Sequence, residues 1–222
     1  MVSQRAAAPT PDSRTRLLDA ATAEFAAHGF DGTTVDQIAA RARLNKAMLY
    51  YHFHDKAALY RAILLDVFRS VAAAVADVDE AADADTRLRV FIRTIATQAL
   101  GRPHFPAMWL REIADGGRHL NTDIAAEIGR ILQTLGRILE QGVREGRFRA
   151  AHPLIVQMNI VAPLLMFSAT AAARARMARA AAEPLVVDPD DFLAHVETAA
   201  LAALRPPTFT EPSSPRSRRR RS

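Results

Sequence analysis

The stretch from Thr34 to Lys56 constrains the fold most strongly, because it contains three closely spaced signals for the start of a helix. Thr34 is followed three residues later by Gln37, which is the pattern of a capping box. Asn45 and Asp55 can each cap a further helix. The pattern predicts two short helices joined by a tight turn, with a longer helix after them. This spacing is typical of a helix-turn-helix, whose second helix can enter the major groove of DNA.

The apolar residues of these helices recur at helical spacing and predict one packed face against an N-terminal helix that carries Leu18 and Phe25. The inward positions are expected to be Val35, Ile38, Leu49 and Phe53. The outward positions are expected to be Lys46, Ala47, Met48, Tyr50, Tyr51 and His52. Tyrosine and lysine side chains commonly contact phosphates, and a small residue such as Ala47 allows close approach to a thymine methyl group. The alternative for one of the two tyrosines is a partly buried position in the core.

The rest of the chain predicts helices as well, and no run of residues alternates in the manner of a strand, so we predict an all-α fold. Further helices are predicted from Thr10-Pro11-Asp12 to Gly29, from Asp55, at 87–100, 104–115 and 121–145, from Pro153 to about Ala180 with a kink at Pro163, and from Asp188-Pro189. We predict a flexible arm at 1–13, a three-helix DNA-binding domain at 14–56 with a linker helix from 55, a larger helical domain at 57–205 and a disordered basic tail at 206–222.

Composition excludes several classes of site. The chain has no cysteine, which excludes disulfides, thiol nucleophiles and cysteine-ligated metals. No histidine has ligand spacing backed by carboxylates, and no nucleophile–base pair or phosphate loop is visible, so we predict neither a metal, a cofactor nor an enzyme. No apolar run is long enough for a bilayer and the N-terminus lacks the apolar core of a signal peptide, so we expect a soluble cytoplasmic protein without a membrane partner. The net charge is +5, and most of it lies in the tail.

The segments FAAHGFDGTTVDQIA at 25–39 and NKAMLYYHFHDK at 45–56 closely resemble the TetR family of bacterial transcription regulators. The resemblance is specific over about residues 14–65 and architectural beyond them. It implies phosphate contacts from Thr34 and Lys56. It also implies backbone and base contacts from the second helix of the motif, in which we include Lys46, Ala47, Met48, Tyr50, Tyr51 and His52.

Two positions depart from the family pattern. Arg43 replaces the glycine that is usual in the turn, which implies either strain, if the position needs a positive φ, or an added phosphate contact. Met48 replaces a small hydroxyl residue in the reading helix, which leaves the base preference of this chain open.

For the second domain the resemblance implies a ligand cavity and a dimer interface. The candidate lining residues are Phe91, Ile95, Phe105, Met108, Trp109, Met158, Met166 and Phe167. For any one of them, ordinary core packing is the simpler interpretation. Arg111 or His119 is a candidate polar anchor or a rim charge. The last two helices carry more apolar surface than a monomer needs, which favours a homodimer over burial within one subunit.

These features predict a dimeric repressor that binds a palindromic operator and is released by a small, largely apolar effector. In such a dimer the two reading helices lie about 34–36 Å apart, one turn of DNA. The alternative is a ligand-independent architectural DNA-binding protein that uses the arginine run 218–221 of its tail. The two differ in salt dependence, because binding through a basic tail alone is nonspecific and weakens steeply with salt. The sequence does not separate a repressor from an activator.

Overall fold

The computed structural model describes residues 12–77, 81–180 and 186–207. These ranges hold ten α-helices and no strand, which confirms the all-α fold class. The helices are α1 (Ser13–His28), α2 (Val35–Ala42), α3 (Lys46–Phe53), α4 (Lys56–Ala76), α5 (Ala84–Leu100), α6 (Phe105–Ala114), α7 (Thr122–Arg144), α8 (Pro153–Ala169), α9 (Ala171–Ala178) and α10 (Pro189–Leu204). Almost all of the arm predicted at 1–13 and of the tail predicted at 206–222 lies outside the described residues.

Side-chain caps set the start of the N-terminal helices. Asp12 accepts a hydrogen bond from the backbone nitrogen of Thr15 at the start of α1. Thr34 and Gln37 form the predicted capping box of α2. The side chains of Asn45 and Asp55 cap α3 and α4 by accepting hydrogen bonds from the backbone nitrogens of Ala47 and Ala58. Each cap pairs a backbone N–H group of the first turn that the helix itself leaves unpaired. The caps therefore favour helix starts at these positions.

The first three helices pack around a small apolar core. Ile38, Leu49 and Phe53 are buried, as predicted, whereas Val35 is only partly buried. On α1, Phe25 is buried as predicted, while Leu18 is only partly buried and the fully buried residue beside it is Leu17. The same core continues into α4, so the linker helix belongs to both parts of the molecule.

The larger part of the molecule is built around α4 and α7, which pack along each other, with α5, α6, α8 and α10 around them. The predicted helix from Pro153 to about Ala180 is wrong as a single element, because it breaks at Thr170 into α8 and α9 with a bend of 54°. The helix ends at Thr170, whose hydroxyl group donates to the carbonyl oxygen of Met166. Pro163, the predicted position of the kink, lies inside α8 and does not end it.

Within the described ranges, no single helix is both long enough and apolar enough to cross a membrane. The bent pair of α8 and α9, taken together, has the length and composition of such a helix, and by those two criteria only.

Candidate nucleic-acid interface

Helix α3 is held by one face and presents the other to solvent. Leu49 and Phe53 anchor it in the core. The exposed face carries Lys46, Ala47, Tyr50 and Tyr51, and Tyr51 is the more exposed of the two tyrosines at 75%. Both tyrosines are therefore available to a partner. The Nζ atom of Lys46 lies 3.4 Å from Asp36 Oδ1, and since both side chains are exposed the pair contributes little and can be exchanged for a phosphate.

Met48 and His52 lie at the edge of the buried face. Met48 is half-buried and packs against the core, so the prediction that it faces outward is wrong. His52 is also half-buried, with its Nε2 atom 2.8 Å from Ser13 Oγ. The reason is helical geometry: each residue directly precedes a buried one, Leu49 or Phe53, and the two stand one turn apart on the same side of α3.

In the turn between α2 and α3, Arg43 adopts the left-handed conformation that a glycine at this position would favour. Arg43 has φ 54° and ψ 45°. Its backbone nitrogen donates to the carbonyl oxygen of Ala40 at 3.0 Å. The guanidinium group of Arg16 donates to the carbonyl oxygens of Ala42 at 2.5 Å and Arg43 at 3.1 Å. The turn is thus held from α1, while the side chain of Arg43 itself is exposed.

Thr34 and Lys56, the two predicted phosphate contacts, differ in what they already bind. Thr34 is exposed, and its hydroxyl oxygen accepts from the backbone nitrogen of Gln37 at 3.2 Å. Lys56 is half-buried, and its Nζ atom donates to the carbonyl oxygens of Phe30 and Thr33, each at 2.8 Å. It also lies 4.3 Å from the centre of the Phe30 ring. An ammonium group has three protons to donate, so one remains for a phosphate.

Arg111 and His119, the candidate polar anchors, lie at the junction between α6 and the N-terminal helices. Arg111 donates to the carbonyl oxygens of Ala26 and Ala27 at the end of α1. His119 lies with its Nδ1 atom 2.8 Å from Glu112 Oε2, and its backbone nitrogen donates to Glu112 Oε1 at 2.7 Å. The contacts of Arg111 therefore connect the two parts of the protein, and the His119 ring adds a contact with that of Phe30, 4.2 Å away centre to centre.

Tyr60 of α4 completes this junction. Its ring lies 4.6 Å, centre to centre, from that of His119. Burial, and secondarily the charge of Glu112, raises the pKa of Tyr60 well above its ordinary value, so the phenol stays protonated. Arg118 also pairs with Asp31 at 2.6 Å across the same junction. Movement of α6 is thereby tied to the DNA-binding helices by polar contacts.

A small apolar cavity of about 70 Å³ lies between α4, α5, α6, α7 and α8. Its lining residues are Val67, Phe68, Val71, Ile95, Gln98, Ala99, Phe105, Trp109, Ile131, Gln157, Val161 and Leu165. Three of the predicted residues, Ile95, Phe105 and Trp109, are among them. The other five do not line it. Phe91 and Met108 are fully buried in the core, Met158 and Met166 are exposed, and Phe167 stacks on Phe192.

Helical period explains why the predicted methionines of α8 do not line this cavity. Gln157, Val161 and Leu165 follow each other at four-residue spacing and face the cavity. Met158 and Met166 are one residue further on, which turns them about 100° around the helix axis. The signal that was missed is polar: the Oε1 atom of Gln157 is buried without a hydrogen-bond partner among the described residues. Gln157 is half-buried, whereas the other amide side chain of α8, Asn159, is exposed, so the buried glutamine marks the cavity side.

The outer face of α8 is a second exposed apolar surface. Leu154, Met158, Ala162 and Met166 follow each other at four-residue spacing and are all exposed. Ile155 widens this stripe and is 61% exposed. An exposed apolar stripe of this length is more than a monomer ordinarily carries on one helix and is typical of an interaction surface.

Elsewhere on the protein, no group of three or more potential metal ligands is placed to hold an ion within the described ranges.

Comparison with known proteins matches residues 17–63 to the bacterial regulatory proteins of the tetR family. Residues 17–63 therefore carry a segment of the TetR family. The matched segment contains α2, α3 and the residues that cap them. A solved TetR-family regulatory protein from Rhodococcus RHA1 superimposes with a TM-score of 0.71 over 88% of this chain and 98% of its own, at 24% identity. PfmR from Thermus thermophilus superimposes with a TM-score of 0.67 over 86% and 100%, at 23% identity. At these identities the likeness establishes the fold.

Two curated relatives of this protein are named as HTH-type transcriptional repressors. NicS of Pseudomonas putida is 29% identical over 140 residues, which is 62% of this chain and 66% of NicS. SCO4008 of Streptomyces coelicolor is 42% identical over 59 residues, which is 26% of this chain and 31% of that protein. The chain thus spans less than two thirds of the length of these relatives. The matched family and these relatives are transcription regulators, which confirms the prediction that the chain is not an enzyme.

Proposed function

We propose that this protein is a TetR-family transcriptional repressor that binds operator DNA through α3. The observation that carries the proposal is the exposed face of Lys46, Ala47, Tyr50 and Tyr51 on a helix that Leu49 and Phe53 fix in the core. A rigidly held helix with a cationic N-terminal residue and exposed phenols is suited to phosphate and base contacts in the major groove. As a DNA-binding regulator, it would act in the bacterial cytoplasm.

The proposed DNA contacts fall into two groups: residues that enter the major groove, and residues that contact the DNA beside it. Lys46, Ala47, Tyr50 and Tyr51 approach the groove directly. The remaining members of the proposed interface are Thr34, Arg43, Met48, His52 and Lys56. Among these, Arg43 and Lys56 supply positive charge on either side of α3, and Met48 and His52 touch the DNA only with the part of the side chain that the core leaves free.

The proposed repressor is a homodimer that reads a palindrome. The apolar stripe of α8, together with the exposed small residues of α10 such as Ala199 and Ala202, supports an interface made by these helices and their symmetry mates. Two-fold symmetry would then present two copies of α3 to successive major grooves, about 34–36 Å apart.

The proposed effector is a small, largely apolar molecule that enters the cavity beside Trp109. At about 70 Å³ the cavity is far smaller than the roughly 300–1,000 Å³ of ligand pockets, so the effector must separate the helices around it. Since α6 carries both Trp109 and the junction residues Arg111 and Glu112, this separation would act on the DNA-binding helices. A ligand that binds only the opened form shifts the population away from the DNA-binding form.

The test is selection of random duplex DNA by the purified protein at near-physiological salt. Three variants are selected in parallel: Lys46→Ala, a chain ending at Arg205, and the control Arg176→Ala, which removes another exposed cation, from α9. We expect one palindrome, lost with Lys46→Ala and kept by the other two. If no motif is recovered and binding disappears with the tail, the proposal fails and the architectural alternative replaces it.

A further inference from the structure

A cleft lined by three arginines lies between α5 and α7. Its volume is about 510 Å³, and its lining residues are Arg87, Arg137, Glu140, Gln141 and Arg144. Arg87 comes from the first turn of α5, and the others come from the C-terminal half of α7. Three guanidinium groups against one carboxylate leave the cleft with an excess of positive charge. We propose that this cleft is a binding site for a small multivalent oxyanion, carrying phosphate or carboxylate groups.

Arg87 carries the argument. Its side chain is in the protein interior, with only 7% of the residue exposed, and burying a cation is costly unless it is paired. One of its terminal nitrogens donates to Gln141 Oε1. Its Nε–H has no acceptor among the described residues. Arg87 thus places in the wall of the cleft a buried charge whose hydrogen bonding is incomplete, which favours a bound anion beside it.

Gln141 fixes the direction of Arg87. The Nε2 atom of Gln141 donates to the carbonyl oxygen of Ala82 at 3.0 Å and to Glu145 Oε1 at 2.6 Å. These two acceptors orient the amide so that its oxygen is the atom offered to Arg87. The guanidinium plane is therefore held before any ligand arrives, which lowers the entropic cost of binding.

Arg137 and Arg144 supply the mobile part of the site. Both are exposed, and neither forms an ion pair with a carboxylate in the described part of the chain, although Glu140 lies on the same rim. Arg137 donates to Thr134 Oγ1 at 3.1 Å and has further donors to offer. Guanidinium groups bind phosphate and carboxylate through paired N–H donors, which makes a multivalent oxyanion the ligand of matching chemistry.

The cleft is separate from the DNA-binding face. Helix α4 begins at Lys56 in that domain and runs for 21 residues, so its far end lies roughly 30 Å away. Ala82, which Gln141 contacts, follows this far end. The operator is bound at one end of the molecule, and the proposed anion site lies toward the other.

Calorimetric titration of the full-length protein with pyrophosphate, and separately with citrate, tests the proposal. We expect one site per chain for at least one of the two anions, and which of them binds identifies phosphate or carboxylate as the ligand group. Arg137→Gln/Arg144→Gln is expected to weaken binding by about tenfold or more, since charge-assisted hydrogen bonds are lost. The matched control Arg176→Gln/Arg179→Gln removes the same charge from α9 and the residue that follows it, and is expected to bind as the wild type does.

Two further variants keep the result unambiguous. Arg87→Lys retains the charge but loses the planar fork, and we expect weaker binding from a protein that still melts cooperatively. Lys46→Ala removes a cation from the DNA-binding face and is expected to leave anion binding unchanged. Absence of binding by both anions overturns the proposal. It is equally overturned if the control pair weakens binding as much as the cleft pair, or if Lys46→Ala abolishes it.

Discussion

The Nζ atom of Lys56 lies 2.8 Å from the carbonyl oxygen of Phe30, and this contact joins the start of α4 to the loop between α1 and α2. The same nitrogen donates to the carbonyl oxygen of Thr33 and lies over the Phe30 ring. The loop that precedes α2 is therefore braced by one side chain. Since α2 supports α3, the brace helps to set the position of the proposed reading helix.

Replacing Lys56 with methionine tests the brace. Lys56→Met leaves two carbonyl oxygens without their charged donor, and we expect the free energy of unfolding to fall by about 1–3 kcal/mol. Lys46→Met is the matched control, because Lys46 is the only other lysine and its ion pair with Asp36 is exposed. It should change stability by less than about 0.5 kcal/mol while reducing DNA binding. Urea denaturation gives both values, and equal losses would contradict the assignment.

Arg43 offers a second test, because its backbone conformation and its charge can be separated. Glycine adopts the left-handed region freely, so we expect Arg43→Gly to raise the free energy of unfolding by up to about 1 kcal/mol. Arg43→Ala retains the strained backbone and should give no such gain. If the side chain contacts a phosphate, both variants reduce the slope of log K for operator binding against log salt concentration by about one. A loss of stability in the glycine variant would contradict the strain argument.

The caps of α2, α3 and α4 could be predicted from the sequence because each depends on residues no more than three apart. The cavity side of α8 could not, because the helix is apolar on most of its surface and its periodicity does not distinguish Val161 from Met158. The cleft at Arg87 was also missed. It brings α5 and α7 together across more than fifty residues of chain, as the hydrogen bond between Arg87 and Gln141 illustrates, and no local pattern encodes that meeting.

Two glycines of α7 give opposite predictions for the same substitution. A Cβ atom at Gly142 would overlap the buried ring of Phe148, which folds back on the helix end, whereas a Cβ atom at Gly129 would meet no neighbour. We expect Gly142→Ala to destabilise the protein by about 1–3 kcal/mol through overpacking. We expect Gly129→Ala to stabilise it by about 0.4–1 kcal/mol, because the unfolded chain loses entropy. Thermal denaturation checks both signs, and a neutral Gly142→Ala would mean that Phe148 can move aside.

The proposed dimer can be tested at the centre of the α8 stripe. Met158 is 61% exposed in the single chain, and in a two-fold interface it would face apolar residues of the partner. Met158→Glu would bury a carboxylate there without a partner, so we expect the variant to be monomeric at concentrations where the wild type is dimeric. Val143→Glu on α7, also at an exposed apolar position, should leave the mass unchanged. Light scattering after size exclusion gives the masses. A wild-type monomer, or a dimer that survives Met158→Glu, would rule out this interface.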